Sequence, residues 1–179
     1  MELELKRGGR TARVETLGGE LVSYRDERGL EYIWGGDPAY WPGRNPLLFP
    51  IVGMLKEGKI RFDGREYAME RHGFARRREF TPAARGEDWV RLELRESAET
   101  LALYPYSFRL AVEQRLTDTG FSTAVTVANP GEGPLPFCLG AHTGFRCPLE
   151  AGERFEDYEL VFPERESCPT LLLRDGLLD

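Results

Sequence analysis

Histidine is almost missing from this sequence: 179 residues contain only His72 and His142. Cysteine is scarce as well. Cys138, Cys147 and Cys168 are odd in number and lack metal-ligand spacing, which removes a disulfide framework and an ordinary zinc site from consideration. Cys138 and His142 are four apart, but that spacing serves a metal only on a helix, and Pro136 and Gly140 deny one there. Lysine is confined to positions 6, 56 and 59, and acidic residues exceed basic ones to give a net charge of −6. A nucleic-acid binder needs a net basic face, so that class is set aside. No apolar run is long enough to cross a membrane as a helix, and residues 1–10 are charged rather than leader-like. Free thiols and no visible leader point to a cytoplasmic protein. A helical hydrophobic period over three turns is also lacking; residues 97–103 come nearest, and the segment is short.

What the chain does contain is a succession of short alternating segments separated by turn residues. Gly8 and Gly9, then Gly18 and Gly19, break residues 3–24 into three strands, and 30–34 reads as a fourth. Residues 46–52 form a short apolar stretch carrying Pro46 and Pro50, suited to a buried strand or an extended crossing segment. Asp63 and Gly64 between 59–62 and 66–69 are a strong hairpin signal. Period-two alternation continues through 79–81, 89–96, 108–116 and 121–128, and 159–162 and 169–173 read as late strands. This pattern predicts one all-β domain over 1–179, an antiparallel sandwich or barrel. Arg174, Asp175 and Gly176 make a turn leading to Leu177 and Leu178, which reads as the entry to a further strand, so the sheet is expected to be incomplete at its C-terminal side. An incomplete sandwich exposes a strand edge and apolar surface, which makes a homodimer plausible.

The two histidines are the chemical candidates. Imidazole titrates near neutrality, so it donates or accepts a proton without strong tuning. His72 precedes Gly73, and His142 precedes Thr143 and Gly144; small neighbours let a ligand approach the backbone. A structural hydrogen-bonding role is the competing reading for each. Trp34, Tyr40 and Trp41, in a Gly- and Pro-rich loop with one helical turn expected at 38–41, are placed either to wall a sugar-sized pocket or to cover the end of the core. The run Arg76, Arg77, Arg78 reads as a solvated strand edge or as an anion or hydroxyl contact. With no phosphate-cradling glycine loop and no nucleophile–base pair, acid–base work on a bound small molecule is what remains.

Five segments, in order, resemble the aldose 1-epimerase (galactose mutarotase-like) family: NPLLFPIVG at 45–53, HGFAR at 72–76, YPYSF at 104–108, LGAHTGF at 139–145, and CPL at 147–149 followed by FEDY at 155–158. The resemblance implies a large antiparallel β-sandwich (supersandwich) binding a monosaccharide in a cleft, and interconversion of α and β anomers without metal or cofactor. It implies that His142 is the general acid that protonates the ring oxygen, and that His72 binds and polarises the sugar. It also places Asn45, Arg76 and Phe145 among the sugar contacts.

The chain departs from the family at three points. The family's general base, a glutamate on a C-terminal strand, has no counterpart here and is expected beyond Asp179, so these 179 residues alone are expected to be weak or inactive as a mutarotase. Met54 stands where the family commonly has a sugar-contacting arginine, and Thr143 stands where a proline usually follows the second histidine. Two alternatives follow: a non-catalytic sugar-binding module, and a hexose-6-phosphate 1-epimerase using Arg76, Arg77 or Arg78 against the phosphate.

Overall fold

The protein is described by a computed structural model over residues 1–165 and 167–178. Its strands form where side chains alternate between core and solvent. β1 (Glu2–Arg7), β2 (Arg10–Glu15) and β3 (Glu20–Arg25) make an antiparallel sheet in that order. Leu3, Leu5, Ala12, Val14 and Leu21 point inward from it. β5 (Lys59–Phe62) and β6 (Arg65–Ala68) form a separate hairpin, following the two-residue strand β4 (Leu47–Leu48). Asp63 and Gly64 both have positive φ, as the tight hairpin turn requires.

The second main sheet has β7 (Thr81–Arg85), β8 (Trp89–Arg95), β9 (Arg109–Leu116) and β10 (Phe121–Ala128) in the order β10-β9-β8-β7. Register pairs Leu92 with Val112 and Leu94 with Leu110, so one face of β8 and β9 is a continuous apolar surface. β1 and β2 pack against β9 to close the sandwich. Gln114 on β9 is buried but satisfied: its amide donates to Gly19 O (2.9 Å), and its carbonyl accepts from Thr123 (2.6 Å). At one end of the core Phe49, Phe62, Phe74, Tyr104 and Phe108 form an aromatic cluster, with Phe49 and Phe108 centroids 5.3 Å apart. Each fully buried large side chain here contributes roughly 1.5–3 kcal/mol of transfer free energy. The all-β antiparallel sandwich expected from the alternation is therefore what the chain adopts.

Among the described residues the one α-helix, α1 (Ala98–Leu101), falls in the segment that the sequence marked, and Ser97 starts it by accepting from Thr100 N. One helical turn at 38–41 is likewise present, with Trp41 N donating to Asp37 O (2.8 Å).

Several expectations shift. Only Leu47 and Leu48 of 46–52 are strand, pairing with β11 (Gly140–Ala141); Phe49 makes a single bridge to Gly73, the chain bends at Pro50 and Val52, and the Phe49–Pro50 peptide is cis. Residues 30–34 are not a continuous strand but make single bridges, Glu31 to Arg25 and Ile33 to Phe145. At 79–81, Glu79 makes a single antiparallel bridge to Leu17, and the strand β7 begins at Thr81, forming the sheet edge and accommodating Pro82. Residues 159–162 are not strand; Leu160, Val161 and Phe162 stand exposed without a ladder partner among the described residues. Residues 169–173 contribute only Leu173, in the small hairpin of β12 (Leu173–Arg174) and β13 (Leu177–Leu178). The exposed strip at 160–162 and 171–173 matches the expected apolar surface. No helix among the described residues is long and apolar enough to cross a membrane.

Candidate functional site

Residues 46–53 form the strip on which the site is assembled, because their carbonyls anchor two separate loops. On one side Phe49 O accepts from Phe74 N (3.0 Å) and Ala75 N (3.2 Å), and Gly73 forms a parallel bridge with Phe49. Gly73 has φ 69°, and a Cβ there would collide with the Phe49 carbonyl, so only glycine lets the chain pass. On the other side Pro46 O accepts from His142 N (3.1 Å) and Pro50 O from Cys138 N (2.8 Å). The two histidine loops, 70 residues apart in sequence, thereby meet across one short segment, and the imidazole rings stack at 6.5 Å with 19° between planes.

His72 itself has φ 67°, a conformation that costs a non-glycine residue free energy. Its backbone N–H donates to Gly53 O (2.8 Å), and its Nδ1 accepts from Gly53 N (2.9 Å). A ring that accepts at Nδ1 carries its proton on Nε2 when neutral, so it presents a donor. Burial, followed by the charges of Arg76, His142 and Arg71, holds its pKa below the ordinary value and favours that neutral form. His142 is exposed, and its ring makes an edge contact with Trp41 at 5.0 Å.

The loop carrying Trp34 and Trp41 wraps this ring. Trp34 Nε1 donates to Trp41 O (2.8 Å), Gly144 N donates to Arg44 O (2.7 Å), and Trp34 N donates to Gly144 O (2.9 Å). A Cβ on Gly144 would lie 2.7 Å from the Trp41 ring and 3.0 Å from Trp34 Cβ, so the turn after His142 also needs glycine. Of the three aromatics singled out, Trp41 reaches a histidine, Trp34 supports Trp41, and Tyr40 is 83% exposed. Asn45 is placed by Glu20, whose carboxylate accepts from Arg44 N (3.0 Å) and Asn45 N (2.5 Å). Its side-chain carbonyl accepts from Thr143 Oγ1 at 2.6 Å. Thr143 thus supplies a tie between the two loops that a proline could not.

Phe145 stands apart from the rings. With Asn45 and Thr143 it lines a cavity of about 310 Å³ walled also by Tyr24, Tyr32 and Phe121, and neither histidine reaches it. Arg76 is half-buried, donates from Nη2 to Arg71 O (2.9 Å), and has a buried Nε with no partner among the described residues. The arginine run is a turn of 3₁₀ helix, Ala75–Arg77, rather than a strand edge. Arg77 pairs with Glu70 and Arg78 with Glu99. Met54 lies beside Arg71, whose Nη2 is 3.6 Å from the thioether sulfur. Sequence reasoning did not single out Arg71; no motif marks it, and only the turn at His72 brings it round. Among the described residues no cluster of three metal-ligating side chains occurs.

The sequence pattern of the family described as aldose 1-epimerase matches residues 1–174. The chain belongs to the aldose 1-epimerase family. Protein LacX of Lactococcus lactis subsp. lactis, in its plasmid form, is 41% identical over 187 aligned positions that take in all of this chain and 62% of the relative. Among solved structures, a galactose mutarotase related enzyme from Lactobacillus acidophilus superposes with a TM-score of 0.89 at 28% identity, covering 100% of this chain and 60% of that one. A galactose mutarotase-like protein from Lactobacillus casei ATCC 334 gives 0.80 at 33% identity, covering 84% of this chain and 52% of its own length. The chain thus spans about three-fifths of the length of the relatives that it matches in full.

Proposed function

We propose that this chain carries the histidine-bearing part of a sugar site that interconverts the α and β anomers of an aldose. The observation that carries this reading is the convergence of His72 and His142, stacked at 6.5 Å across residues 46–53. Ring opening requires a proton delivered to the ring oxygen as the C1–O bond breaks, and a proton removed from the anomeric hydroxyl. Rotation about C1–C2 and reclosure on the other face then give the second anomer. His142 is the general acid: its ring is exposed, with Trp41 and His72 as its ring neighbours. His72, neutral with Nε2–H outward, donates a hydrogen bond that orients and polarises the sugar. Asn45, steadied by Thr143, and Arg76 contact hydroxyls, and Phe145 offers an apolar face at the flank. No side chain is assigned as the general base.

A second reading is a sugar-binding module without turnover. It is favoured by the surroundings of the rings, since no carboxylate among the described residues hydrogen-bonds to either. Anomer exchange measured by NMR on a freshly dissolved aldose separates the two. With no general base assigned, the catalytic reading expects a weak acceleration that is lost in His142→Ala, a general acid being worth about 100-fold or more. Saturable binding without acceleration selects the module, and neither binding nor acceleration contradicts both readings.

A further inference from the structure

Around the histidine pair the charges are lopsided. Residues 61–78 carry six arginines; Arg65 stands exposed on the β5–β6 hairpin, and partners divide the other five sharply. Arg61 is paired with Glu66, Arg77 with Glu70 and Arg78 with Glu99. Arg71 and Arg76 form no ion pair with a carboxylate among the described residues. Arg76 sends Nη2 to the Arg71 backbone carbonyl at 2.9 Å and leaves Nε buried without an acceptor. Arg71 rests Nη2 on the Met54 sulfur at 3.6 Å, a weak acceptor that leaves most of its donors unanswered. Glu70, the carboxylate whose charge acts on Arg76, is itself engaged by Arg77. The turn at Gly176 lies against Met54 and Arg71, where a Cβ would fall 3.4 Å from Arg71 Nη2. Both cations also act on His72, which burial and their charges keep neutral. Two unneutralised guanidinium groups beside a neutral donor make a place for a negative charge.

We propose that Arg71 and Arg76 are the anion-recognising residues of this site, and that the aldose it takes carries an acidic group, either a phosphate ester or a sugar carboxylate. The inference rests on the sugar-site reading above. Arg77 and Arg78, the other members of the basic run, are committed to the surface and take no part.

The test is titration calorimetry of the 179-residue protein with galactose, galactose 6-phosphate, galacturonic acid and inorganic phosphate at low and high salt. At least one acidic sugar is expected to bind about tenfold or more tightly than galactose, the scale of one added charge-assisted hydrogen bond. Which acidic sugar wins identifies the group. Arg71→Met and Arg71→Gln are each expected to remove most of that preference, weakening the acidic sugar about tenfold more than galactose. Arg77→Gln is expected to leave the preference intact, and added salt to weaken only the acidic ligands. Equal binding of galactose and both acidic sugars overturns the anion reading while leaving the sugar site standing. Equal weakening of galactose and its acidic analogues in Arg71→Met overturns it too. Inorganic phosphate binding as tightly as the sugar phosphate, with no competition from galactose, reduces the pair to a surface anion site and overturns the proposal. Failure of every sugar to bind overturns this inference together with the reading on which it rests.

Discussion

The two histidine loops solve one positioning problem in opposite ways. His72 is fixed by its own backbone: a left-handed conformation, a reciprocal pair of hydrogen bonds to Gly53, and a glycine behind it pressed on the Phe49 carbonyl. His142 is fixed by its neighbours: a short strand pairing with β4, a bond from its N–H to Pro46 O, and the Trp41 edge. The first arrangement commits one ring nitrogen and determines which one bears the proton. The second leaves the ring open. A group that must hold one protonation state while orienting a ligand suits the first loop, and a group that must give up and regain a proton suits the second.

The comparison breaks most visibly at the glycines. Gly73→Ala sets a side chain into the Phe49 backbone at positive φ, where neither partner can yield. It is expected to cost about 3 kcal/mol or more of stability in chemical denaturation. Gly144→Ala meets the Trp41 and Trp34 side chains and the Arg44 carbonyl, of which the side chains can partly move. A loss of about 1–3 kcal/mol is expected, with the fluorescence of Trp41 reporting a local shift. Equal losses for the two would show that both loops are anchored alike.

A smaller effect sharpens the contrast in charge. The folded His72 ring has its pKa below the ordinary 6.5, so between the two values the unfolded chain binds the extra proton. Its contribution is therefore fully present above about pH 6.5 and is lost as pH falls through the folded value. Denaturation midpoints of the wild type are expected to drop between pH 7.5 and 5 by more than those of His72→Gln, which retains an acceptor but does not titrate. Parallel pH profiles would remove the claim that the ring is held neutral.

Much of the framework was legible because it depends on local periodicity. β8, β9 and β10 alternate at period two, and Asp63 with Gly64 can hardly do other than turn. Residues 159–162 misled because Leu160 and Val161 have strand composition, whereas a strand exists only where a neighbour supplies the ladder. The arginine run misled for a related reason: three like charges say nothing of the turn that sends Arg76 inward and Arg77 outward. In the site, the histidines and their glycines were legible because their types are rare and their turns distinctive. The tie from Thr143 to Asn45 and the approach of Arg71 to Met54 were not, since each joins distant residues through a tertiary contact.

The central claim is that His72 and His142 serve one bound sugar. Imidazole nitrogen resonances of ¹⁵N-histidine protein, followed while an aldose is added, test it most directly, because the two histidines give only two pairs of ring-nitrogen signals. Both rings are expected to shift along a single saturation curve with one dissociation constant, His72 retaining its Nε2–H pattern throughout. A shift confined to one ring, or two curves with different midpoints, would contradict it.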